Sequence, residues 1–214
     1  MKASEIKIST IKRRLKKMYN LTPTENLENS KNWYFEANNF SKELSKNIGV
    51  SSIKISAVLS ALSPAVSWDI NKRDCETMIK VFVNFGTFED CNYSTYGQNA
   101  LKAWSILNDK KNESTKDIYN KYFNNGKSGF KTASFFVNIA SPKDKNFVTI
   151  DRHQFAICRN LKKSSDGKTP TKKVYEILKN AHIEVAKELD ILPHQLQSVT
   201  WSTYRTEILG YSYH

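Results

Sequence analysis

Apolar residues recur three and four positions apart over most of the chain, and no stretch alternates apolar with polar, so the pattern predicts helices and no strand. Ile6, Ile8, Ile11, Leu15 and Met18 form the stripe of a first helix over residues 3–19. Trp33, Ala37, Phe40, Leu44 and Ile48 mark a second over 29–47, stopped by Gly49. Ser51 or Ser52 caps a third, in which Ile53, Ile55, Ala57, Val58, Leu59 and Leu62 leave little polar surface, and Pro64 closes it. A fourth spans 68–85 with Ile70, Cys75, Ile79, Val81 and Phe82 inward, and 86–96 reads as irregular. Leu101, Trp104, Ile106 and Leu107 predict a helix over 99–107, and Ile118, Tyr119, Tyr122 and Phe123 a short one over 118–123. A turn at 126–129 leads into a helix with Lys131 near its start; a loop at 141–146 precedes another that opens at Asp151. Two long helices, 172–189 and 193–209, follow a polar loop at 162–170. About nine helices and no repeat of 20–50 residues make the expected fold all-α, one two-lobed unit over residues 1–214.

Charge narrows the partner. Among 214 residues, 33 are basic and 21 acidic, a net +12 that favours a polyanion, most simply nucleic acid; a Lys- and Asn-rich proteome is the plainer source of the same excess. Lys12, Arg13, Arg14, Lys16 and Lys17 crowd the first helix, which reads either as a DNA-contacting surface or as a solvated face. Cys75, Cys91 and Cys158 have no metal-ligand spacing and fit a reducing compartment rather than a disulfide scaffold. His182, His194 and His214 make no cluster with acids or cysteines, so no metal site is expected. Neither a P-loop nor a Gly-x-Ser-x-Gly elbow is present. No apolar run approaches membrane-spanning length and no signal peptide opens the chain, so a cytoplasmic protein with no membrane partner is expected.

The chemistry concentrates between Gly126 and Arg159. There a lysine, Lys131, stands near one helix N-terminus and a carboxylate, Asp151, at the next, 20 residues on. Glycines in the turn at 126–129 leave backbone N–H groups free at the first of these N-termini, which suits a DNA phosphate. Gly129-Phe130-Lys131-Thr132-Ala133 and Ile150-Asp151-Arg152-His153 together resemble the active-site segment of helix-hairpin-helix DNA glycosylases of the endonuclease III and 8-oxoguanine glycosylase type. In those enzymes a hairpin ending Gly-x-Lys carries a nucleophilic lysine, and a later Val-Asp-x-His carries an essential aspartate. The family hairpin normally reads Leu-Pro-Gly-x-Gly; here Asn125-Gly126-Lys127-Ser128 precedes Gly129, with one glycine displaced and the leucine absent. The stretch AVLSALSPAVSWDINKRD, residues 57–74, resembles the family's buried helix that ends at the DNA. Leu62 matches the glutamine that fills the space of the flipped nucleotide, and reads either as an apolar wedge or as core. The likeness covers residues 53–159; as a whole the chain also looks like small bacteriophage proteins, which points to a phage-type member.

The resemblance implies a two-lobed helix-hairpin-helix glycosylase-like fold with its hairpin and catalytic segment at 118–160. It implies an enzyme that binds double-stranded DNA as a monomer, flips a damaged or modified base and cuts its N-glycosidic bond, with or without AP-lyase activity. Lys131 would attack C1′ to form a Schiff base, which requires a neutral amine; burial and a helix N-terminus both favour that form. Asp151 would stabilise positive charge on the sugar while capping its helix, with His153 in support. Gly126, Lys127, Ser128, Gly129, Thr132 and Leu62 would touch DNA. No cysteine follows Cys158 to hold an iron–sulfur cluster, so a cluster-free, cofactor-free member is implied. Two alternatives remain: a phage enzyme that hypermodifies bases on the same fold, and a DNA-binding protein without catalysis.

Overall fold

The structure, a computed structural model, describes residues 7–111, 113–124, 126, 129–161 and 170–211. Among them are ten α-helices and no strand. The chain folds as two compact units, Met1–Tyr34 with Lys143–His214, and Phe35–Pro142. None of the described helices is long and apolar enough to cross a membrane.

In the first unit, α1 (Ile8–Asn20) packs on α8 (Arg152–Arg159), α9 (Lys172–Glu188) and α10 (Pro193–Thr203). Ile11 and Leu15 enter a core with Val148, Ile150, Phe155, Ile157, Leu178, Val185 and Leu196. Ile8, placed on the apolar stripe by its spacing, lies exposed at the helix start, and Ile6 falls outside the described residues. Pro193 opens α10 at its first turn, where a missing N–H costs nothing. Asn160, left-handed at φ 56°, ends α8.

A buried polar network crosses this core. Gln154 donates through Nε2 to the Gln197 carbonyl (2.7 Å) and to Thr200 Oγ1 (3.0 Å), and Tyr34 donates to Gln197 Oε1 at 2.8 Å. His182 sets Nδ1 2.7 Å from the Leu178 carbonyl and Nε2 3.0 Å from Gln154 Oε1. Burial pushes the His182 imidazole down to about 4, so the ring is neutral at neutral pH. The unfolded ring takes up its proton near pH 6.5 and the folded one only near 4. His182 thus contributes stability that is present above pH 6.5 and lost as pH falls towards 4, about 3 kcal/mol in all. Urea denaturation at pH 7 and pH 4.5 is expected to show this loss in the native chain and a flatter dependence in His182→Gln. Equal pH dependence in both would exclude the ring as its source.

The second unit is built around α3 (Ser52–Leu62), buried from Lys54 to Leu62 and packed against α4 (Trp68–Val83), α5 (Gly97–Asn108) and α7 (Phe130–Ala140). α2 (Thr24–Ile48) begins five residues before its expected start and contributes its later turns here. Ser51 takes the N-cap position of α3, but its hydroxyl does not cap. Small hydroxyls on α3 replace bulk with hydrogen bonds: Ser56 donates to the Ser52 carbonyl (2.8 Å) and Ser60 to that of Thr132 (2.7 Å).

The periodicity misplaces two faces. Ile70 is 36% exposed and Leu101 50%, whereas Asn71 and Asp74 on α4 are buried. Asn71 Nδ2 donates to the Leu59 carbonyl at 3.1 Å, and Asp74 Oδ2 accepts from the Ser94 amide at 2.7 Å. These bonds offset the desolvation of the polar groups. The predicted fourth helix stops at Val83; Phe85 follows at φ 58° with its ring almost fully exposed. The short helix before the hairpin is α6 (Thr115–Ile118) running into a π-helical turn, Tyr119–Phe123.

Candidate functional site

Asp151 is the N-cap of α8, with extended backbone (φ −94°, ψ −174°). Its Oδ1 accepts the Gln154 amide at 2.8 Å, satisfying one of the orphan donors of the first turn. Its Oδ2 accepts the indole N–H of Trp201, on α10, at 2.9 Å. The carboxylate is half-buried. Tyr175 holds the approach from the other side, donating to the Val148 carbonyl (2.7 Å) and accepting the Ile150 amide (3.1 Å). The cap and the indole fix the carboxylate from two helices, and the tyrosine fixes the backbone just before it.

His153 packs edge-to-face on Trp201 with ring centroids 5.9 Å apart, and its ring lies 6.0 Å from that of Tyr204. It bears on Asp151 through the indole. Trp201 had no assigned role in the sequence. It is 50 residues from its acceptor, and a tryptophan on a buried helix carries no local sign of a polar duty.

Lys131 belongs to the second unit, on the first turn of α7, and its side chain is exposed. The burial expected to favour its neutral amine is therefore not met. Gly129, at the N-cap of α7, offers no side-chain acceptor of its own. Thr132 is half-buried, its carbonyl engaged by Ser60. Gly126 is exposed at φ 79°, a conformation strained for any residue with a Cβ. Lys127 and Ser128 lie outside the described residues.

Of the two readings of Leu62, its burial supports core. It is 1% exposed at the end of α3, and a side chain that enters a base stack must first stand in solvent. Its methyls are core.

Two groups in the second unit had no signal in the sequence. Lys102, on α5, places its ammonium 5.9 Å from the Phe123 ring centroid, and burial lowers its pKa. Phe123 in turn stacks on Phe136 of α7 at 4.8 Å. Asp109, just past α5, accepts from Lys121 Nζ (2.7 Å) and the Tyr122 hydroxyl (3.0 Å) through Oδ2, while its carbonyl accepts Lys54 Nζ at 2.6 Å. These bonds tie the π-helical turn and α3 to the end of α5.

The basic face of α1 is largely engaged within the protein. Lys12 pairs with Glu184 and Glu188, Lys16 with Glu188, and Arg14 donates to the Cys158 carbonyl at 2.6 Å. Arg13 and Lys17 are left exposed. The three cysteines are free and buried, and burial pushes the Cys158 thiol up to about 12, so it is no nucleophile at neutral pH.

The chain belongs to a family of unknown function (DUF7178), whose model matches residues 1–208. No curated protein and no solved structure matches the chain.

Proposed function

We propose that this protein is a helix-hairpin-helix glycosylase-like enzyme that acts on double-stranded DNA, with Lys131 as the amine nucleophile and Asp151 as the carboxylate. The setting of Asp151 carries the reading. A purely capping aspartate needs one bond to its helix; this one gives its second oxygen to an indole, from a different helix, and stays half-open to solvent. A carboxylate aimed in this way suits a sugar on which positive charge develops. The exposed Lys131 at the start of α7 and the net +12 add support on the phosphate side.

The amine of Lys131 forms a bond to C1′ as the C1′–N bond breaks and the base leaves with the bonding pair and a proton. Opening of the sugar ring gives an iminium, from which β-elimination cuts the strand. Whether the base is excised or remodelled depends on the target. A DNA-binding protein without catalysis is the second reading, favoured by the exposure of Lys131, since a solvated lysine is a phosphate contact as readily as a nucleophile.

Borohydride trapping on abasic duplexes tests the proposal. A covalent protein–DNA adduct is expected from the native chain, and Lys131→Gln is expected to abolish it while binding persists. Trapping that survives in Lys131→Gln but vanishes in Lys102→Gln would transfer the nucleophile to Lys102. Absence of trapping and of excision across a panel of damaged and phage-type modified bases would leave the binding reading.

A further inference from the structure

Trp201 and Arg205 stand four residues apart at the end of α10, where the helix passes into a π-helical turn, Tyr204–Ile208. Gly210, at φ 73°, then reverses the chain, and the amide of Tyr211 returns to the Arg205 carbonyl at 3.0 Å. This local path brings two aromatic rings to one guanidinium. Arg205 Cζ lies 4.6 Å from the Trp201 ring centroid and 5.1 Å from that of Tyr211.

The guanidinium carbon lies over both rings. Among the described residues Arg205 donates no side-chain hydrogen bond and pairs with no carboxylate. Neither nearby acid serves it: Glu207 accepts from Thr206 at 3.1 Å, and Asp151 accepts from the Trp201 indole. The guanidinium keeps five N–H donors in its rigid plane, and its two ring contacts reduce the rotamer entropy that binding would cost. An oxyanion with two oxygens in one plane matches that fork.

We infer that Trp201, Arg205 and Tyr211 form a phosphate clamp for nucleic acid. The indole supplies the reason for a phosphodiester. Its face carries the guanidinium and its N–H edge carries the Asp151 carboxylate, so one rigid ring sets a cation and an anion side by side. A nucleotide presents the complement: an anionic phosphate, and next to it a sugar that turns cationic as its base departs. Tyr211 is 54% exposed and leaves ring surface for a base to stack on. The inference rests on the glycosylase-like reading for the sugar, but not for the phosphate.

Fluorescence anisotropy with a labelled duplex containing a tetrahydrofuran abasic analogue tests the clamp, because that probe binds without reacting. Arg205→Gln is expected to weaken binding about tenfold and to flatten the log affinity–log salt slope by about 0.9. Arg205→Lys keeps the charge and is expected to restore the slope but not the affinity, since an ammonium lacks the fork. Arg13→Gln removes the same charge from α1 and is expected to change affinity less than threefold. The clamp is overturned if Arg205→Gln binds like the native chain, if Arg13→Gln weakens binding as much, or if the native chain binds no DNA. Clamp-dependent binding by a chain that neither traps nor excises upholds the clamp and removes the glycosylase reading. Excision with binding indifferent to Arg205 does the reverse.

Discussion

Asp151→Asn is expected to lower base excision by about three orders of magnitude. The substitution keeps shape and removes charge, so an enzyme that relies on the carboxylate to support a cationic sugar loses most of its rate. Its structural cost is small but not zero. A carboxamide has one oxygen for the two donors that Asp151 satisfies, the Gln154 amide and the Trp201 indole. Whichever donor it abandons then faces an NH2 group, at about 1–2 kcal/mol. Single-turnover excision and urea denaturation of the same preparation separate the two effects. A variant that is destabilised by this amount but excises within tenfold of the native rate would make Asp151 a cap and nothing more. Trp201→Phe is the natural companion, because it removes the second donor and leaves the charge in place.

Leu62→Ala is expected to destabilise the second unit by about 4 kcal/mol. Leu62 is 1% exposed on a helix that is buried from Lys54 onward, so the deleted methyls leave a cavity that neighbours on packed helices cannot readily fill. DNA affinity of the folded fraction is expected to be unchanged. A mild loss of stability, under about 1 kcal/mol, joined to a weaker unstacking signal from 2-aminopurine duplexes, would show that the side chain reaches DNA after all.

The residues that carried most weight in the sequence divide cleanly by the range of the forces on them. The helices, the burial of α3, the cap at Asp151 and the start of α10 at Pro193 were legible because they depend on neighbours within one or two turns. Lys131 could be placed on the first turn of a helix for the same reason, but not its exposure, which depends on what packs over that turn. The faces of α4 and α5 were misread at Ile70 and Leu101, since several apolar residues there compete for the inward direction. The choice was made by polar partners: Leu59 and Ser94 reward the burial of Asn71 and Asp74 from 12 and 20 residues away.

Local periodicity therefore determined the all-helical fold, and identified a capping aspartate and a helix-leading lysine. Only the tertiary structure decided that Leu62 is core, that Lys12 and Lys16 are already paired, and that Trp201 meets Asp151 across 50 residues. The physical reason is the same in each case. Helix formation is set by hydrogen bonds between residues four apart, whereas burial, ion pairing and the aim of a carboxylate are set by whichever distant surface the folded chain brings against them.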